Sequence, residues 1–572
     1  MTESRKVMSD RVSPTRCEVR DHCGVAVYAD AVALPWSERL RSRVGALHLS
    51  VPEVQSLAAI AIGLVGDPGV TSVTVKVGTW QPPKGWIGAP RLAGLSAWSV
   101  SRRRGGALVC LRAIEPVDPA ILVAAVMRIL RPTHLDAGPL MTICPGLPAC
   151  AAPLAAGMTD SLSPEEKPNR HLRRTDVLVA PETLDPAPEP STRARALVIT
   201  ERGWEMDGTA FDIVVDPAVH RPVGRRSVAS GHVATASIIG DCLVIDTPAG
   251  EVRTHSDLTT SDIHSLLSVS GVRTGDPLTV RWRAQLEAAG IVVATGPAGE
   301  HLPESGDDLA WQFASVRARR HALRNHSPAA ALDAWPTVSV VLVTHRDRFL
   351  SRALSQISRL EYPSLQVVIG LHGVDVDDGR ITDFIERAGL GASGRPTVVV
   401  HRIDHDVPFG RAMQETCDRA DGLLITKIDD DDYYAPEHVW DLVLARMYSG
   451  AQLVGKALDW IQVEAADITG FRPTYPAEAY ATFVAGGTML ISKADLLAAG
   501  GWRPVPKSID RALIEQVKRV GGLVYRTHGL GYVYVRHGDA HTAIVSDDHF
   551  LTANVRQWPG LIAHEAFGTV PK

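Results

Sequence analysis

The hydrophobic pattern changes character near residue 336. Residues 338–343 (VSVVLV) form an almost unbroken β-branched run, bounded by Pro336 and the polar Thr344-His345-Arg346. Such a run suits a strand buried on both faces, as in a parallel sheet. Residues 349–360 carry apolar side chains at helical spacing until Tyr362-Pro363 ends them. A second strand is expected over 365–371 (LQVVIGL), followed by the loop His372-Gly373, and a third over 397–401. The helical stretch 410–422 (GRAMQETCDRADG) follows, and then 423–428 (LLITKI) runs directly into Asp429-Asp430-Asp431-Asp432. This alternation predicts a doubly wound α/β domain, in which ligands bind beyond the carboxyl ends of the strands. The four aspartates lie at that edge.

Upstream the rhythm is also α/β. Residues 72–80 (SVTVKVGTW) alternate like a half-buried strand, and 107–113 (ALVCLRA) read as a buried one. Asp118-Pro119 then opens the helix ILVAAVMRIL with an acidic N-cap and a proline at its first position. Further strands are expected at 196–200, 211–215, 241–246 and 291–295, and an amphipathic helix at 277–289, stopped by Gly290. Residues 157–195, rich in Pro, Glu and Arg, read as linker or surface loop, and 317–336 as a basic helix followed by a breaker. The organisation expected is therefore an α/β segment at 1–156, a linker at 157–195, a second α/β segment at 196–325, and a C-terminal domain at 336–572. The first two segments hold no glycine-rich phosphate loop of the GxGxxG or GxxxxGK[ST] kind. Their isolated histidines, His48 and His134 among them, read as structural or exposed.

Composition narrows the functional classes. At 572 residues, 45% hydrophobic and 22% charged, the chain is globular and long enough for about three domains. A net charge of −5 leaves no basic surplus for phosphate backbones, and 5% aromatic content offers little for base stacking, which argues against nucleic-acid binding. Seven cysteines without a CxxC pair argue against a disulfide framework or a zinc ribbon and favour reduced thiols in the cytoplasm. The first residues have no apolar core of a secretory signal, and no uninterrupted apolar run reaches the roughly 18 residues of a membrane span. The most apolar stretch, 140–158, is broken by Pro145, Pro148 and Pro153.

Four consecutive carboxylates at a strand end repel one another unless a cation neutralises them. Oxygen ligands of this kind select a hard divalent ion, Mg²⁺ or Mn²⁺. Extended backbone would point Asp429 and Asp431 the same way, onto one site. The alternative is a solvated acidic turn capping a helix begun at Pro436.

From Pro336 onward the sequence resembles the family 2 glycosyltransferases with the GT-A fold. VSVVLVTHRDRFLSRALSQISRLEYPSLQVVIG is similar to the family's first strand–helix–strand, and Gly410 with Ala412 and Met413 to its G-x-A-L-N helix start. ADGLLITKIDDDDYYAPEHV resembles the element carrying the DxD motif, FVAGGTMLISKADLLAAGGW the acceptor-side strand and turn, and KSIDRALIEQVKRVGG the segment with the ED motif. The resemblance implies an inverting transfer of sugar from a nucleoside-diphosphate sugar to a hydroxyl of a glycan, a lipid-linked glycan or another cell-envelope precursor. Asp429 and Asp431 would hold Mn²⁺ or Mg²⁺, with a late histidine, His537 or His541, completing the shell. Asp510 would be the general base; read from its neighbours alone, it could equally cap the helix that follows.

Thr344, His345, Arg346, His372, Gly410, Arg411, Lys427 and Asp430 would surround the nucleotide-sugar, and Gly487, Trp502 and His541 would lie on the acceptor side. Lys427 could instead help neutralise the acids. Trp460, Trp502 and Tyr433 could stack on sugar rings or pack in the core. Three positions depart from the family pattern: His372 replaces an acidic loop, Ile509 the glutamate before the base, and Gln414 the asparagine. Two other classes compete: a GT-A-like domain that only binds nucleotide-sugar or scaffolds an assembly, and a nucleotidyltransferase or phosphatase using the Asp cluster. An aspartyl-phosphate phosphatase would want DxDxT-like spacing, and DDDDYY lacks the threonine. Work on a lipid-linked acceptor would require peripheral membrane docking.

Overall fold

The computed structural model describes residues 46–63, 70–83, 95–117, 119–131, 214–225, 232–248, 250–296, 302–331, 335–537, 547–552 and 554–569, with Trp86. It also gives the backbone of short strands at 17–21, 24–28, 141–143, 159–161, 177–181, 195–200, 203–206 and 209–211. Asp118, His134 and His541 lie outside the described residues. Two compact units emerge, 1–133 with 518–521, and 134–517 with 522–572.

In the first unit, strands Ala46–Glu53, Val70–Thr79, Leu95–Arg103 and Gly106–Val117 join two short N-terminal strands in one mixed sheet. Alternation puts Val73, Val75 and Val77 inward with Val109 and Leu111, and helices Gln55–Gly63 and Pro119–Leu130 bring buried Leu57, Ile60, Leu122 and Val126. His48 is exposed.

The second unit opens with a six-stranded sheet built from 141–211. Thr159–Ser161 and Val177–Pro181 belong to it, so the stretch expected as linker carries two strands, both paired in parallel with Met141–Ile143. A five-stranded sheet follows over 232–295, with helices Thr260–Ser265 and Val280–Ala288, the latter ending before Gly290 at φ +88°. Of the strand expected at 211–215, Phe211 ends a strand and Val214 and Val215 lie outside any. The basic helix spans Asp308–His326, beginning earlier than its charge pattern indicates.

Residues 336–572, which the second unit includes apart from 518–521, are mixed α/β. Their elements are β1 (Val338–Thr344), α1 (Asp347–Ile357), β2 (Leu365–His372), α2 (Asp378–Arg387), β3 (Thr397–Ile403), α3 (Phe409–Cys417), β4 (Leu424–Ile428), β5 (Tyr433–Tyr434) and α4 (His438–Ser449). There follow β6 (Leu453–Lys456), β7 (Trp460–Val463), β8 (Ile468–Phe471), β9 (Ala479–Tyr480), β10 (Leu490–Ser492), α5 (Lys493–Ala499), α6 (Ile509–Arg519), β11 (Val524–Thr527), β12 (Tyr532–Arg536) and β13 (Arg556–Pro559).

The main sheet runs β3-β2-β1-β4-β10-β6-β11-β9, and a smaller one β5-β12-β7-β8-β13. Strands β3, β2, β1 and β4 are parallel, as expected. Beyond β4 the expectation of a purely doubly wound sheet gives way. Between β4 and β6 lies β10, antiparallel to both and entered after β9 at the far edge of the same sheet. Every residue of β1 and β4 is buried, including Lys427.

Candidate functional site

Strands β1 and β4 pair in parallel, with Leu342 opposite Ile428, so the residues leaving both strands meet at one edge. From β1, Thr344 donates its hydroxyl to Asp430, and the Arg346 N–H donates back to Thr344 Oγ1 at 2.9 Å. The Arg346 guanidinium bridges Asp430 and Asp431, reaching Asp430 Oδ2 at 3.2 Å and Asp431 Oδ2 at 2.8 Å. His537, following β12, places Nε2 2.8 Å from Asp431 Oδ2 and 3.1 Å from Arg346 Nη1. Phe349 packs against both the guanidinium and the imidazole.

Asp429 turns away from this group. Its Oδ1 accepts from the Lys427 ammonium at 2.7 Å, and the same ammonium donates to the Gly486 carbonyl at 3.2 Å and lies 3.6 Å from Asp510 Oδ1. The two acids expected to share one site thus have different cationic partners, Lys427 for Asp429 and Arg346 for Asp431. Strand β4 ends at Ile428, so two-residue alternation carries from Lys427 to Asp429 and stops before Asp431.

The turn is stitched from below. Buried Asp432 accepts from Tyr532 Oη at 2.7 Å and from the Val535 N–H at 2.9 Å, tying the acidic run to the strand that carries His537. Tyr434 Oη accepts from the Asp429 N–H at 2.8 Å and donates to the Gly487 carbonyl at 2.9 Å. Gln356 of α1 bonds the Asp432 carbonyl and the Tyr434 N–H. These supporting residues carry no sequence signal of their own. The glycine pair does: a Cβ on Gly486 would stand 2.3 Å from Asp510 Oδ2, and one on Gly487 2.8 Å from Asp429 Oδ2. Only glycine lets the backbone approach both carboxylates this closely.

Burial and neighbouring charge set the protonation pattern. Burial pushes Asp431 up, but Arg346 and His537 outweigh it and hold the carboxyl below its ordinary value. Asp432, buried beside Asp431 and Asp429, is pushed well up. Burial also raises Asp430 despite Arg346, and raises Asp510, where Lys427 opposes and Asp429 adds to the shift. Burial would depress Lys427, yet Asp429 and Asp510 carry it above its ordinary value. Asp510 lies in the first turn of α6, one residue inside the helix, so it is not the N-cap; Ser508, two residues before it, is held at φ +57°.

Of the other residues picked out by the sequence, His345 lies near Arg346, Asp430, Asp431 and His372, and the rest take packing or surface positions. His372 Nε2 meets the Val407 carbonyl at 2.7 Å, and His345 is exposed at the end of β1. Gly410 is a packing position, since a Cβ there would fall 1.8 Å from the Arg503 carbonyl oxygen. Arg411 points outward and pairs with Glu415. Trp502 and Trp460 are buried, and Trp460 packs among Phe471, Trp558 and Phe567. Tyr433 is buried too, donating to the Phe567 carbonyl at 2.7 Å.

For a divalent ion, Asp431 and His537 offer donors of the right kind, a carboxylate and an imidazole facing one another, and the Arg346 guanidinium that pairs with both would have to move aside for it. Among the described residues no three His, Cys, Asp or Glu side chains gather as a metal-holding group. Mg²⁺ and Mn²⁺ sites commonly take one or two protein ligands and complete themselves with water and substrate oxygens.

The chain matches no family model, and no curated protein matches it. Three solved structures resemble it in part. S. aureus TarS 1–349, in complex with UDP-GlcNAc, is 12% identical, the match covering 38% of this chain and 64% of that one, with a TM-score of 0.29. The mannosyltransferase PcManGT from Pyrobaculum calidifontis, in complex with GDP-Man and Mn²⁺, is 14% identical, covering 36% and 58%, with a TM-score of 0.28. GalNAc-T7 with UDP, GalNAc and Mn²⁺ is 12% identical, covering 35% and 44%, with a TM-score of 0.28. This chain thus spans less than two thirds of the length of each. Among the described residues no helix is long and apolar enough to cross a membrane, and Cys110, Cys242 and Cys417 are free thiols.

Proposed function

We propose that residues 336–572 form an inverting, divalent-cation-dependent glycosyltransferase domain. It would transfer sugar from a nucleoside-diphosphate donor to a hydroxyl of a glycan or cell-envelope precursor, with peripheral docking if the acceptor is lipid-linked. The observation carrying this reading is the pairing, at the carboxyl edge of a parallel sheet, of two unlike groups. One is a carboxylate–imidazole–guanidinium set, Asp431, His537 and Arg346, suited to a diphosphate and its cation. The other is the raised carboxyl of Asp510, about a third exposed and approached closely by the glycine turn at Gly486.

Bound at Asp431 and His537, a divalent cation supplies charge neutralisation for the departing diphosphate. Arg346 adds a fixed positive charge toward the same oxygens. The Asp510 carboxylate accepts the proton of the acceptor hydroxyl as its oxygen bonds to the anomeric carbon. The bond from that carbon to the diphosphate oxygen breaks, and one displacement inverts the centre. A carboxyl raised above its ordinary value is a better base near neutral pH than an exposed aspartate.

The test is nucleoside-diphosphate release from UDP-, GDP-, TDP- and CDP-sugars, with and without Mn²⁺, in the presence of hydroxyl acceptors. One donor class should turn over with Mn²⁺ in the wild type, and Asp510→Asn should lose about 10²–10⁴-fold in kcat. Unchanged turnover in Asp510→Asn contradicts the assignment of the base. Nucleotide binding without turnover of any donor favours a scaffold or binding role.

A further inference from the structure

Lys427 is the one charged residue of β4, a strand otherwise made of Leu, Ile and Thr. Its ammonium is sealed from solvent and has three oxygen neighbours: Asp429 at 2.7 Å, the Gly486 carbonyl at 3.2 Å and Asp510 at 3.6 Å. A lysine in such a place persists only with carboxylate partners, because an unpaired buried charge is strongly destabilising. Asp431 has a separate cationic partner in Arg346 and lies against His537. The Asp510 Oδ1 atom is buried with no hydrogen-bond partner, so the Lys427 charge is the nearest constraint on its direction. Through Gly486, the same ammonium also holds the glycine turn that would collide with Asp510 if it carried a side chain.

We propose that Lys427 divides the acidic run into two working halves. Asp431 and His537 face the donor diphosphate and its divalent cation. Asp429 is withheld from that cation and, with Lys427, orients Asp510 toward the acceptor hydroxyl. Both acids carry a cationic side chain, and what sets Asp431 apart is a second ligating group beside it, His537 at 2.8 Å, whereas Asp429 shares its ammonium with Asp510. Lys427 and Asp429 are thus positioning residues. This inference rests on the glycosyltransferase reading above.

The experiment measures how much Mn²⁺ adds to the thermal-midpoint rise produced by the nucleoside diphosphate of the preferred donor. It compares wild type, Asp429→Asn, Asp431→Asn, Lys427→Met and Lys427→Arg, with steady-state kinetics on each. Asp431→Asn should lose the Mn²⁺ increment, whereas Asp429→Asn and Lys427→Met keep it. Those two should lose about a hundredfold in kcat, as expected for a misdirected reacting group, with donor KM unchanged. Lys427→Arg should recover part of the rate, which a merely structural role would not require. If Asp429→Asn loses the increment as completely as Asp431→Asn, the division is wrong. If Lys427→Met does not fold, Asp429→Asn decides alone, since it leaves the ammonium paired with Asp510 and Gly486. A wild type with no Mn²⁺ increment for any nucleotide overturns the glycosyltransferase reading itself.

Discussion

The second unit contains two clusters of charge, and they are built on opposite rules. Asp441 on α4 receives Arg320 at 2.7 and 2.8 Å and the Lys456 ammonium at 2.6 Å, with His528 3.5 Å away. Nearby Glu478 accepts from Tyr448 and Tyr525 at 2.8 Å each, from Thr527 at 3.2 Å, and pairs with Arg319 at 3.0 Å. Every carboxylate oxygen in this first cluster has a partner, and almost no surface is left. Glu478 even keeps the left-handed φ of +54° that non-glycine residues avoid, held there by its four donors.

At the strand edge the accounting differs. Asp429 and Asp510 each keep about a third of their side-chain surface exposed, and Asp510 Oδ1 has no hydrogen bond. A saturated cluster can only hold the fold together; an open one can still take a ligand or a proton. The basic helix Asp308–His326 supplies Arg319 and Arg320 to the first cluster, so two of the charges its sequence displays serve inside the protein.

Substitutions should separate the two. Asp510→Asn should cost its large factor in kcat with a stability change within about 1 kcal/mol, because no saturated network is broken. Asp441→Ala strands Arg320 and Lys456 in the interior and should lose about 3–5 kcal/mol in urea unfolding. A loss below about 1 kcal/mol there would break the comparison.

Acid should separate them more gently. Burial, above all, pushes His528 down to about 4, from an ordinary 6.5. The unfolded chain therefore takes up a proton that the native state refuses, and the stability His528 contributes is present above pH 6.5 and lost as pH falls toward 4. Between pH 7 and 5 this amounts to about 2 kcal/mol, read as a shift in the urea midpoint that His528→Gln should abolish. Turnover should instead fall with acid as Asp510 gains a proton, through an apparent pKa above the ordinary carboxyl value.

The local half of this picture was legible in the sequence. Largely apolar runs marked β1, β2 and β4, and the position of the Asp run at a strand end marked the edge. What periodicity could not reach were pairings set by the packing of distant elements. Arg346 meets Asp430 and Asp431 only because β1 and β4 are neighbours, and Arg320 meets Asp441 across 121 residues. That Lys427 could neutralise the acids is readable from its position, but which acid it meets is decided by the end of β4 after Ile428. Tyr532 and Gln356, which shape the turn, resemble any other polar residue in a strand and a helix. Antiparallel β10 was hidden because three residues carry no direction.

The central claim is that the strand edge binds a nucleoside diphosphate through Asp431. Its most direct test is the thermal midpoint of the wild type and of Asp431→Asn with UDP, GDP, TDP and CDP, each with and without Mn²⁺. At about 100 times its Kd a ligand adds roughly 2.7 kcal/mol. One nucleotide should raise the wild-type midpoint accordingly with Mn²⁺, and Asp431→Asn should lose that rise. An equal rise in Asp431→Asn, or none with any nucleotide in the wild type, would contradict it.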